Sequence, residues 1–290
     1  MRYAAPATVD EASALLSDNP GSQVFAGATD LVPQMRSGRP APSVLVDLKG
    51  IERLTAVTHE DGQWTIGAAT PTADLTCDAA FTAAFPGLSE GAGLIGSDQI
   101  QNRSSLGGNL ANASPAADSV PALIANAGQA VIATADGTRT VPASEIVTGP
   151  GSTSLADGEF IVEFTLADPP AGTGDAYLRM IPRTEMDIAI VGAAVRVTVD
   201  GDSISDAIVV LGAVAPTAVV VPDAAVALVG ASVAGGSIDH SALTALAEAA
   251  STACDPIDDK RGTIAYRRQV AGVLAKRAAA IAVERAQNGV

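Results

Sequence analysis

Residues 95–127 read IGSDQIQNRSSLGGNLANASPAADSVPALIANA, and two adjacent glycines, Gly107 and Gly108, lie near the middle of this stretch. Adjacent glycines allow positive φ angles and let the backbone come close to a ligand. Several consecutive N–H groups can then converge on one anion. A surface turn before a helix is the alternative interpretation of a lone glycine pair. The surrounding Ser, Asn and Arg side chains favour an anion-binding loop.

A second glycine loop lies far upstream, at residues 24–36, which read VFAGATDLVPQMR. The first three residues are typical of a short buried strand, and a helix is predicted from Leu31, with Thr29 or Asp30 as its N-cap. A strand–turn–helix junction directs backbone N–H groups toward one point. An ordinary turn between strand and helix is the alternative. The loop is not a GxGxxG motif, and no acidic residue follows at the spacing of a nicotinamide-dinucleotide fingerprint.

The composition excludes several classes of protein. Among the 290 residues, apolar types make up 48% and aromatic types 3%, which predicts a densely packed α/β or α+β protein. The net charge of −15 argues against nucleic acid or an anionic membrane as a partner. The N-terminus lacks the apolar region of a signal peptide, and no apolar run approaches the roughly 20 residues that span a bilayer. We therefore expect a cytoplasmic protein without a membrane span.

Cysteine and histidine are too sparse to predict a metal site. Cys77 and Cys254 are far apart and form no CxxC motif, so this chain alone predicts neither a zinc site nor a cysteine-held iron–sulfur cluster. Two free thiols fit a reducing cytoplasm, and a disulfide is the alternative. We expect Cys77 to be a small buried side chain. The two histidines, His59 and His240, also stand apart.

The pattern of predicted elements changes near residue 174. Residues 1–174 alternate between strand and helix patterns, with a strand pair predicted at 51–57 and 63–67, and DPPAGTG at 168–174 is the best linker candidate. Strands are then predicted at 177–181, 190–199 and 204–214, followed by helices at 222–229, 238–250 and 264–284. Three strands followed by three helices predict an antiparallel meander covered by helices.

Several sequence blocks together resemble the FAD-binding subunit of the xanthine dehydrogenase and carbon monoxide dehydrogenase family of molybdenum hydroxylases. The resemblance covers nearly the whole chain, and the blocks occur in the family's order and spacing. The blocks are VFAGATDLVPQMRSG, VLVDLKGI, IGAATPTADL, IGSDQIQNRSSLGGNLANASPAADSVPAL, TGPGSTSL, YLRMIPRTEMDIAIVGAAV and RGTIAYRRQVAGVLAKRA.

The resemblance implies an α+β fold in two domains. Residues 1–174 are expected to form a two-subdomain FAD-binding domain of the vanillyl-alcohol-oxidase/PCMH type, with subdomains of about 1–57 and 58–174. Residues 175–290 are expected to form a C-terminal flavoprotein domain, in which a three-stranded antiparallel sheet packs against a three-helix bundle.

The resemblance also implies which residues bind FAD, non-covalently, with its pyrophosphate between the two glycine loops. Backbone donors with Thr29 and Ser105 suit a pyrophosphate in so acidic a chain. The implied cofactor-binding residues are Val24, Phe25, Ala26, Gly27, Ala28, Thr29, Asp30, Leu31, Ile95, Ile100, Ser105, Gly107, Gly108, Asn109, Asn112, Asp118, Ile161 and Arg179.

Individual positions carry narrower expectations. Arg179 is implied to lie at the edge of the flavin ring and to favour the reduced flavin, and a solvated strand-edge arginine is the alternative. For Asp118 the alternative is a helix N-cap. Ala28 replaces the family's second glycine, so this position should accept a Cβ atom. Gln101 replaces a frequent arginine, for which Arg103 could substitute. Three charged residues are implied to border a nicotinamide site, with plain solvation as the alternative: Arg183, Glu185 and Asp187.

The function implied by the resemblance is electron transfer within a larger complex. A molybdopterin-binding large subunit would oxidise a purine, N-heterocycle or aldehyde, and a small subunit with [2Fe-2S] clusters would pass electrons one at a time to FAD. NAD or another acceptor would then receive them, in a complex expected to be a dimer of heterotrimers. No acid–base catalytic residue is expected, because the flavin supplies the redox chemistry. A stand-alone flavin oxidoreductase and a non-enzymatic nucleotide-binding module that has lost FAD are the alternatives.

Overall fold

The computed structural model describes residues 1–184 and 186–289. Its N-terminal part is a three-stranded parallel sheet with short helices. The elements are β1 (Arg2–Ala4), α1 (Val9–Asp18), β2 (Gln23–Phe25), α2 (Leu31–Arg36), β3 (Val44–Asp47) and α3 (Glu52–Thr55). The strand order is β1-β3-β2, and every residue of the central strand β3 is buried. Its first three residues are apolar, as is typical of a central parallel strand covered on both faces. The first glycine loop connects β2 to α2.

The middle part is a five-stranded antiparallel sheet covered by helices. Its elements are β4 (Val57–Glu60), β5 (Gln63–Gly67), α4 (Thr72–Cys77), α5 (Ala79–Ala84), α6 (Pro86–Gly93), α7 (Asp98–Gln101), α8 (Leu106–Ala111), α9 (Ser119–Ala125), β6 (Gln129–Thr134), β7 (Gly137–Pro142), β8 (Val147–Gly149), β9 (Ser152–Thr153) and β10 (Phe160–Ala167). The sheet order is β4-β5-β10-β6-β7, while β8 and β9 pair separately. The predicted strand at 51–57 is wrong, because α3 occupies most of it and β4 supplies the partner of β5.

The C-terminal part is an antiparallel sheet with three helices against it. Its elements are β11 (Thr173–Met180), β12 (Val191–Asp200), β13 (Ser203–Gly212), β14 (Val219–Val220), α10 (Pro222–Leu228), α11 (His240–Thr252) and α12 (Ile264–Asn288). The order β11-β12-β13-β14 corrects the expected three strands to four. The two-residue β14 pairs with the end of β13 and is too short to give a sequence pattern.

Small residues bring the C-terminal helices close together and close to the sheet. A Cβ atom at Gly272 of α12 would lie 2.7 Å from the Ala247 carbonyl oxygen of α11, so the two helices cross nearly in backbone contact. The α12 side chains buried in this core are mainly alanines. This close packing explains how the chain forms a core with so few aromatic residues. No helix in the described ranges is both long enough and apolar enough to cross a membrane.

Buried polar contacts connect the C-terminal sheet to the middle part. The Asp175 carboxylate of β11 accepts hydrogen bonds from the Gly87 N–H at 2.9 Å and from Asn126 Nδ2 at 2.6 Å. Arg285 of α12 pairs with Glu90 of α6 at 2.5 Å and donates to the Asp175 carbonyl at 2.7 Å. Burial raises the pKa of the Asp175 carboxyl, although these donors oppose the rise. These contacts hold β11 against α6 and α9.

Candidate functional site

The two glycine loops line one cavity of about 300 Å³, at the junction of the parallel sheet and the middle part. Thirteen of the residues implied by the resemblance line it. They are Val24, Phe25, Ala26, Gly27, Ala28, Thr29, Asp30, Leu31, Ile95, Ser105, Gly108, Asn109 and Asn112. The sequence interpretation missed six further lining residues: Gln23, Gln34, Arg39, Ser104, Ala111 and Gly151. The structure therefore places both loops on the same cavity, which we call the cradle.

Gly27 is where the two loops touch. A Cβ atom at this position would lie 1.8 Å from the carbonyl oxygen of Arg103 and 2.4 Å from its carbonyl carbon. No side chain fits there without moving backbone. Arg103 thus contacts the first loop through its main chain, and its side chain is exposed. Glycine at position 27 is required by the contact between the loops.

The backbone of the first loop offers unused hydrogen-bond donors to the cradle. The main-chain N–H groups of Gly27, Ala28, Thr29 and Asp30 receive no acceptor from residues 1–184 and 186–289. Ala28 has a φ of 56°, in the left-handed region, although it carries a Cβ atom. Left-handed residues within a turn bring successive N–H groups onto one concave face that binds anions. This donor set fits the doubly negative pyrophosphate of FAD.

The second loop contributes polar side chains to the opposite wall. Ser105 Oγ accepts a hydrogen bond from the Gly108 N–H at 3.1 Å and so caps α8. Asn109 Oδ1 accepts from Ser119 Oγ at 2.8 Å. Gly107 does not line the cradle. Its N–H donates to the Ala68 carbonyl at 3.1 Å, and a Cβ atom there would lie 2.5 Å from that oxygen, so this glycine serves packing.

A hydrogen-bonded chain crosses the cradle from one loop to the other. Gln34 Nε2 of α2 donates to Asn112 Oδ1 at 3.0 Å, and Arg39 donates to Gln34 Oε1. Arg39 places a positive charge on the lining, where Asp30 is negative. Asp30 is exposed as a residue, but the cavity walls desolvate its carboxyl and raise the pKa of that group. No sequence pattern identifies this bridge, because its members lie far apart in the chain.

A cluster of polar side chains contacts the first loop at Ala26. Lys49 Nζ donates to the Ala26 carbonyl at 2.9 Å, pairs with Asp47 at 2.6 Å and lies 4.3 Å from the centre of the Phe25 ring. The Tyr3 hydroxyl donates to Asp47 at 2.8 Å. Burial alone would raise the pKa of the Asp47 carboxyl, but the hydrogen bonds from Lys49 and Tyr3 lower it overall. An ionised Asp47 holds Lys49 against the loop.

Asp118 and Arg179 lie outside the cradle and form a buried ion pair. Arg179 Nη1 lies 2.5 Å from Asp118 Oδ2, and the Tyr177 hydroxyl donates to Asp118 Oδ1 at 3.0 Å. Arg179 is therefore not a solvated strand-edge residue. Asp118 occupies the N-cap position of α9, but its side chain makes no capping hydrogen bond. Burial raises the pKa of the Asp118 carboxyl to about 6, although Arg179 and Tyr177 act in the opposite direction.

Arg179 lines a second cavity, of about 330 Å³, whose other walls include Leu94, Gly96 and Gln101. Ile95, between the first two of these, lines the cradle instead. The segment 93–101 is therefore a wall shared by the cradle and the Arg179 cavity. Gln101 donates to the Gly93 carbonyl at 2.6 Å, which braces this wall.

The remaining implied residues lie apart from the cradle. Ile161 is 5% exposed and packs in the core of the middle part, and Ile100 lies against Gly96, without lining either cavity. Arg183 pairs with Asp187 at 2.9 Å on an exposed loop. Glu185, the third charged residue expected there, lies outside the described residues. Cys77 is exposed, which corrects the expected buried side chain, because α4 ends there at the surface.

A third cavity, of about 390 Å³, lies where the second loop meets the C-terminal sheet. Most of its walls are apolar, and they include Pro115, Pro150, Ile188 and Pro216. Arg267, also in the lining, is 4% exposed. The other charged lining residues are Asp255, Asp259 and Arg261. The sequence interpretation did not identify this cavity, because its walls come from six separated segments.

Arg267 is held firmly in place at the base of the third cavity. It pairs with Asp259 at 2.7 Å and donates to the Ile190 carbonyl at 2.6 Å. Its Nε has no hydrogen-bond partner within the described part of the chain. Among the described residues, no group of three or more His, Cys, Asp or Glu side chains is arranged to hold a metal ion.

Two family models together match most of the chain. A model described as the FAD binding domain in molybdopterin dehydrogenase matches residues 1–168. A model described as the CO dehydrogenase flavoprotein C-terminal domain matches residues 176–282.

Individual relatives match over most of their length. The chain is 34% identical over 277 residues to the carbon monoxide dehydrogenase medium chain of Hydrogenophaga pseudoflava, covering 95% of this chain and 94% of the relative. It is 34% identical over 218 residues to a xanthine dehydrogenase FAD-binding subunit of Escherichia coli O157:H7, covering 74% of each. A solved structure of the Hydrogenophaga pseudoflava carbon monoxide dehydrogenase lacking the Mo-pyranopterin moiety matches with a TM-score of 0.92, covering 98% of each chain.

Proposed function

The chain belongs to the family of FAD-binding subunits of molybdenum hydroxylases, and we propose that its cradle holds the FAD that transfers electrons through the complex. The observation that carries this proposal is that four N–H donors without an acceptor among the described residues, those of residues 27–30, belong to residues that line one cavity together with Ser105 and Asn109. Backbone donors recognise phosphate oxygens without requiring a basic surface. A protein with a net charge of −15 can bind a dinucleotide in this way.

The sizes of the cavities support an extended FAD. The cradle's volume of about 300 Å³ lies at the lower end of the range for small-molecule sites, which is enough for only the middle of a dinucleotide. The rest of the cofactor would extend along the wall formed by segment 93–101, toward Arg179. When bound, FAD supplies the electron chemistry, and the protein binds it, orients it and sets its electrostatic surroundings. We assign no acid–base role to any residue.

We further propose the partners and the substrate class. A large subunit with a molybdopterin cofactor would oxidise the substrate, and a small subunit with [2Fe-2S] clusters would deliver electrons to this chain, in a cytoplasmic dimer of heterotrimers. The chain is 34% identical both to a carbon monoxide dehydrogenase subunit and to a xanthine dehydrogenase subunit, so identity does not select a substrate. The blocks TGPGSTSL and LGAVAPTAV resemble xanthine dehydrogenase subunits more than carbon monoxide dehydrogenase subunits, and on that resemblance we propose a purine, N-heterocycle or aldehyde substrate.

The third cavity supports NAD or another ring-shaped molecule as the electron acceptor. It adjoins the second loop through Ser114 and Pro115, and its apolar walls suit a planar ring. Arg261, in the lining, would attract an acceptor with negative or carbonyl oxygens. Reduction of NAD by the substrate-reduced complex, compared with reduction of a quinone, separates these acceptors. If neither is reduced, the proposal that NAD or a quinone accepts the electrons is wrong.

The experiment that tests the proposed function begins with the absorbance spectrum of the purified full-length chain. We expect the bands of oxidised flavin, and after release in acid the cofactor should be FAD in a 1:1 ratio. A colourless chain that also fails to bind added FAD would favour the empty nucleotide-binding module. Purification through a tag on this chain from its native host should bring down molybdenum- and iron-containing subunits. FAD without such partners would favour a stand-alone flavin oxidoreductase.

A further inference from the structure

We propose that Asp118 and Tyr177 are positioning residues that control the charge Arg179 presents to the flavin ring. The inference rests on the proposed function, because it requires FAD to lie along the wall that the cradle shares with the Arg179 cavity. Of the three side chains, Arg179 is the one that lines that cavity. Asp118 and Tyr177 act through it and line neither the cradle nor the Arg179 cavity.

The geometry of the pair makes the charge of Arg179 conditional. The side chains of Arg179 and Asp118 are 8% and 9% exposed and lie 2.5 Å apart, so solvent screens their interaction poorly. While Asp118 is ionised, the ion pair has no net charge, so it adds no net charge to the cavity. When Asp118 takes up a proton, Arg179 keeps its charge, because a guanidinium does not lose its proton in proteins. The cavity then gains one positive charge.

Tyr177 fixes Asp118 in the orientation that this pairing needs. Its hydroxyl donates to the Asp118 oxygen that does not face Arg179. The hydroxyl fits because position 192 is glycine: a Cβ atom there would lie 2.5 Å from the Tyr177 oxygen. Burial and the neighbouring Asp118 raise the pKa of Tyr177 well above its ordinary value, so the phenol stays a donor. Gly192 on β12 therefore leaves the space in which the Tyr177 hydroxyl on β11 reaches Asp118.

The other charged groups near this cluster already have partners of their own. Glu90 of α6 accepts from the Tyr177 N–H at 3.0 Å and pairs with Arg285 of α12. Asp175 lies on the same strand, held by Gly87 and Asn126. From α8, Asn109 reaches Ser119 next to Asp118 but carries no charge. Arg179 and Tyr177 are the partners that shift the proton affinity of Asp118.

The sign of the effect on the flavin follows from charge. Reduced flavin carries more negative charge than oxidised flavin, so a net positive charge beside the ring favours reduction. Above the pKa of Asp118, the ion pair is neutral and the midpoint potential is lower. As the pH falls through that pKa, Asp118 is protonated and the potential rises more steeply than flavin protonation alone requires. Because the charge of Arg179 is balanced by that of Asp118, the presence of an arginine at position 179 does not by itself set the midpoint potential.

The test measures the flavin midpoint potential of the FAD-loaded full-length chain by spectroelectrochemistry between pH 5 and 8. For Asp118→Asn we expect the ratio of reduced to oxidised flavin at pH 8 and a fixed electrode potential to rise on the order of tenfold. Tenfold corresponds to about 30 mV for a two-electron couple. The extra steepness near the pKa of Asp118 should disappear. A potential and a pH profile equal to those of the wild type would overturn the inference.

Two further variants keep the test valid if Asp118→Asn does not fold. Tyr177→Phe keeps the ion pair but removes a hydrogen bond that favours the charged carboxylate, so the steep region should move to higher pH. Asp175→Asn is the matched control, since it makes the same change in a buried carboxyl on β11, the strand of Tyr177 and Arg179, and should leave the potential unaltered. An unshifted Tyr177→Phe profile, or an equal effect of the control, would also overturn the inference. Failure of the wild-type chain to bind FAD would instead overturn the proposed function, and this inference with it.

Discussion

Replacing Gly27 with alanine should separate the two glycine loops and weaken FAD binding. The new Cβ atom would lie 1.8 Å from the Arg103 carbonyl oxygen, whereas Cβ atoms in proteins essentially never approach within 3.0 Å. Both contacting groups are backbone, so no rotamer change relieves the clash. The loops must move apart by roughly 1 Å, a rearrangement that costs about 1–3 kcal/mol in a packed structure.

The same displacement moves the N–H groups of residues 27–30 out of register with the opposite wall. Charge-assisted hydrogen bonds contribute about 1.5–3 kcal/mol each, so losing two of them weakens FAD binding on the order of 100-fold or more. Stability and affinity should therefore fall together in this variant.

Two assays separate these effects. Urea unfolding followed by the fluorescence of Trp64, the only tryptophan, gives the change in stability, and FAD titration of the folded apoprotein gives the change in affinity. The matched control is Gly149→Ala, at a glycine outside the cradle lining where the added Cβ atom would have no neighbour within 4 Å. The contact between the loops is refuted if Gly27→Ala binds FAD as tightly as the control does and is equally stable.

Three further predictions concern stability. Ala28→Gly should stabilise the chain by about 0.5–1 kcal/mol, because alanine is strained at a φ of 56°; an unchanged urea midpoint would contradict that strain. Arg53→Gln should destabilise the chain by about 1–2 kcal/mol, because Arg53 donates two hydrogen bonds, of 2.8 and 2.6 Å, to Glu163, which is 9% exposed. The loss is limited to this range because the Arg53 side chain is half exposed. A double-mutant cycle with Glu163→Gln that shows no coupling would exclude this prediction. The raised pKa of Asp118 means that the folded state holds its proton more tightly than the unfolded state, so this contribution to stability is present below pH 3.8 and lost as the pH rises through about 6. The melting temperature of the wild type should therefore fall relative to that of Asp118→Asn over this window, and parallel curves would be evidence against it.

The sequence predicted the parts of the site that depend on local chain conformation. The loop at 26–30 follows a strand and precedes a helix, and the pair Gly107–Gly108 lies at the start of α8, so both patterns are visible within a few residues. The resemblance connected the two loops. It did not separate the roles of the glycines, since Gly107 packs against Ala68 while Gly108 lines the cradle.

Contacts between distant segments could not be predicted from the sequence. The bridge from Gln34 to Asn112 joins residues 78 positions apart, and the Arg179–Asp118 pair joins residues 61 positions apart. A single sequence carries no signal that couples such positions, so Arg179 was interpreted as either a flavin contact or a solvated residue. The buried carboxylate of Asp118 balances the charge of Arg179 and so changes the effect that Arg179 is expected to have on the flavin midpoint potential.

The affinities of FAD and riboflavin for the same apoprotein test the two-loop cradle most directly. Both ligands carry the isoalloxazine ring, but only FAD carries the pyrophosphate that the N–H groups of residues 27–30 would bind. We predict that FAD binds at 1:1 stoichiometry and at least on the order of 100-fold more tightly than riboflavin, since at least two charge-assisted hydrogen bonds are absent for riboflavin. Equal affinity for the two ligands, or binding of neither, would contradict the account.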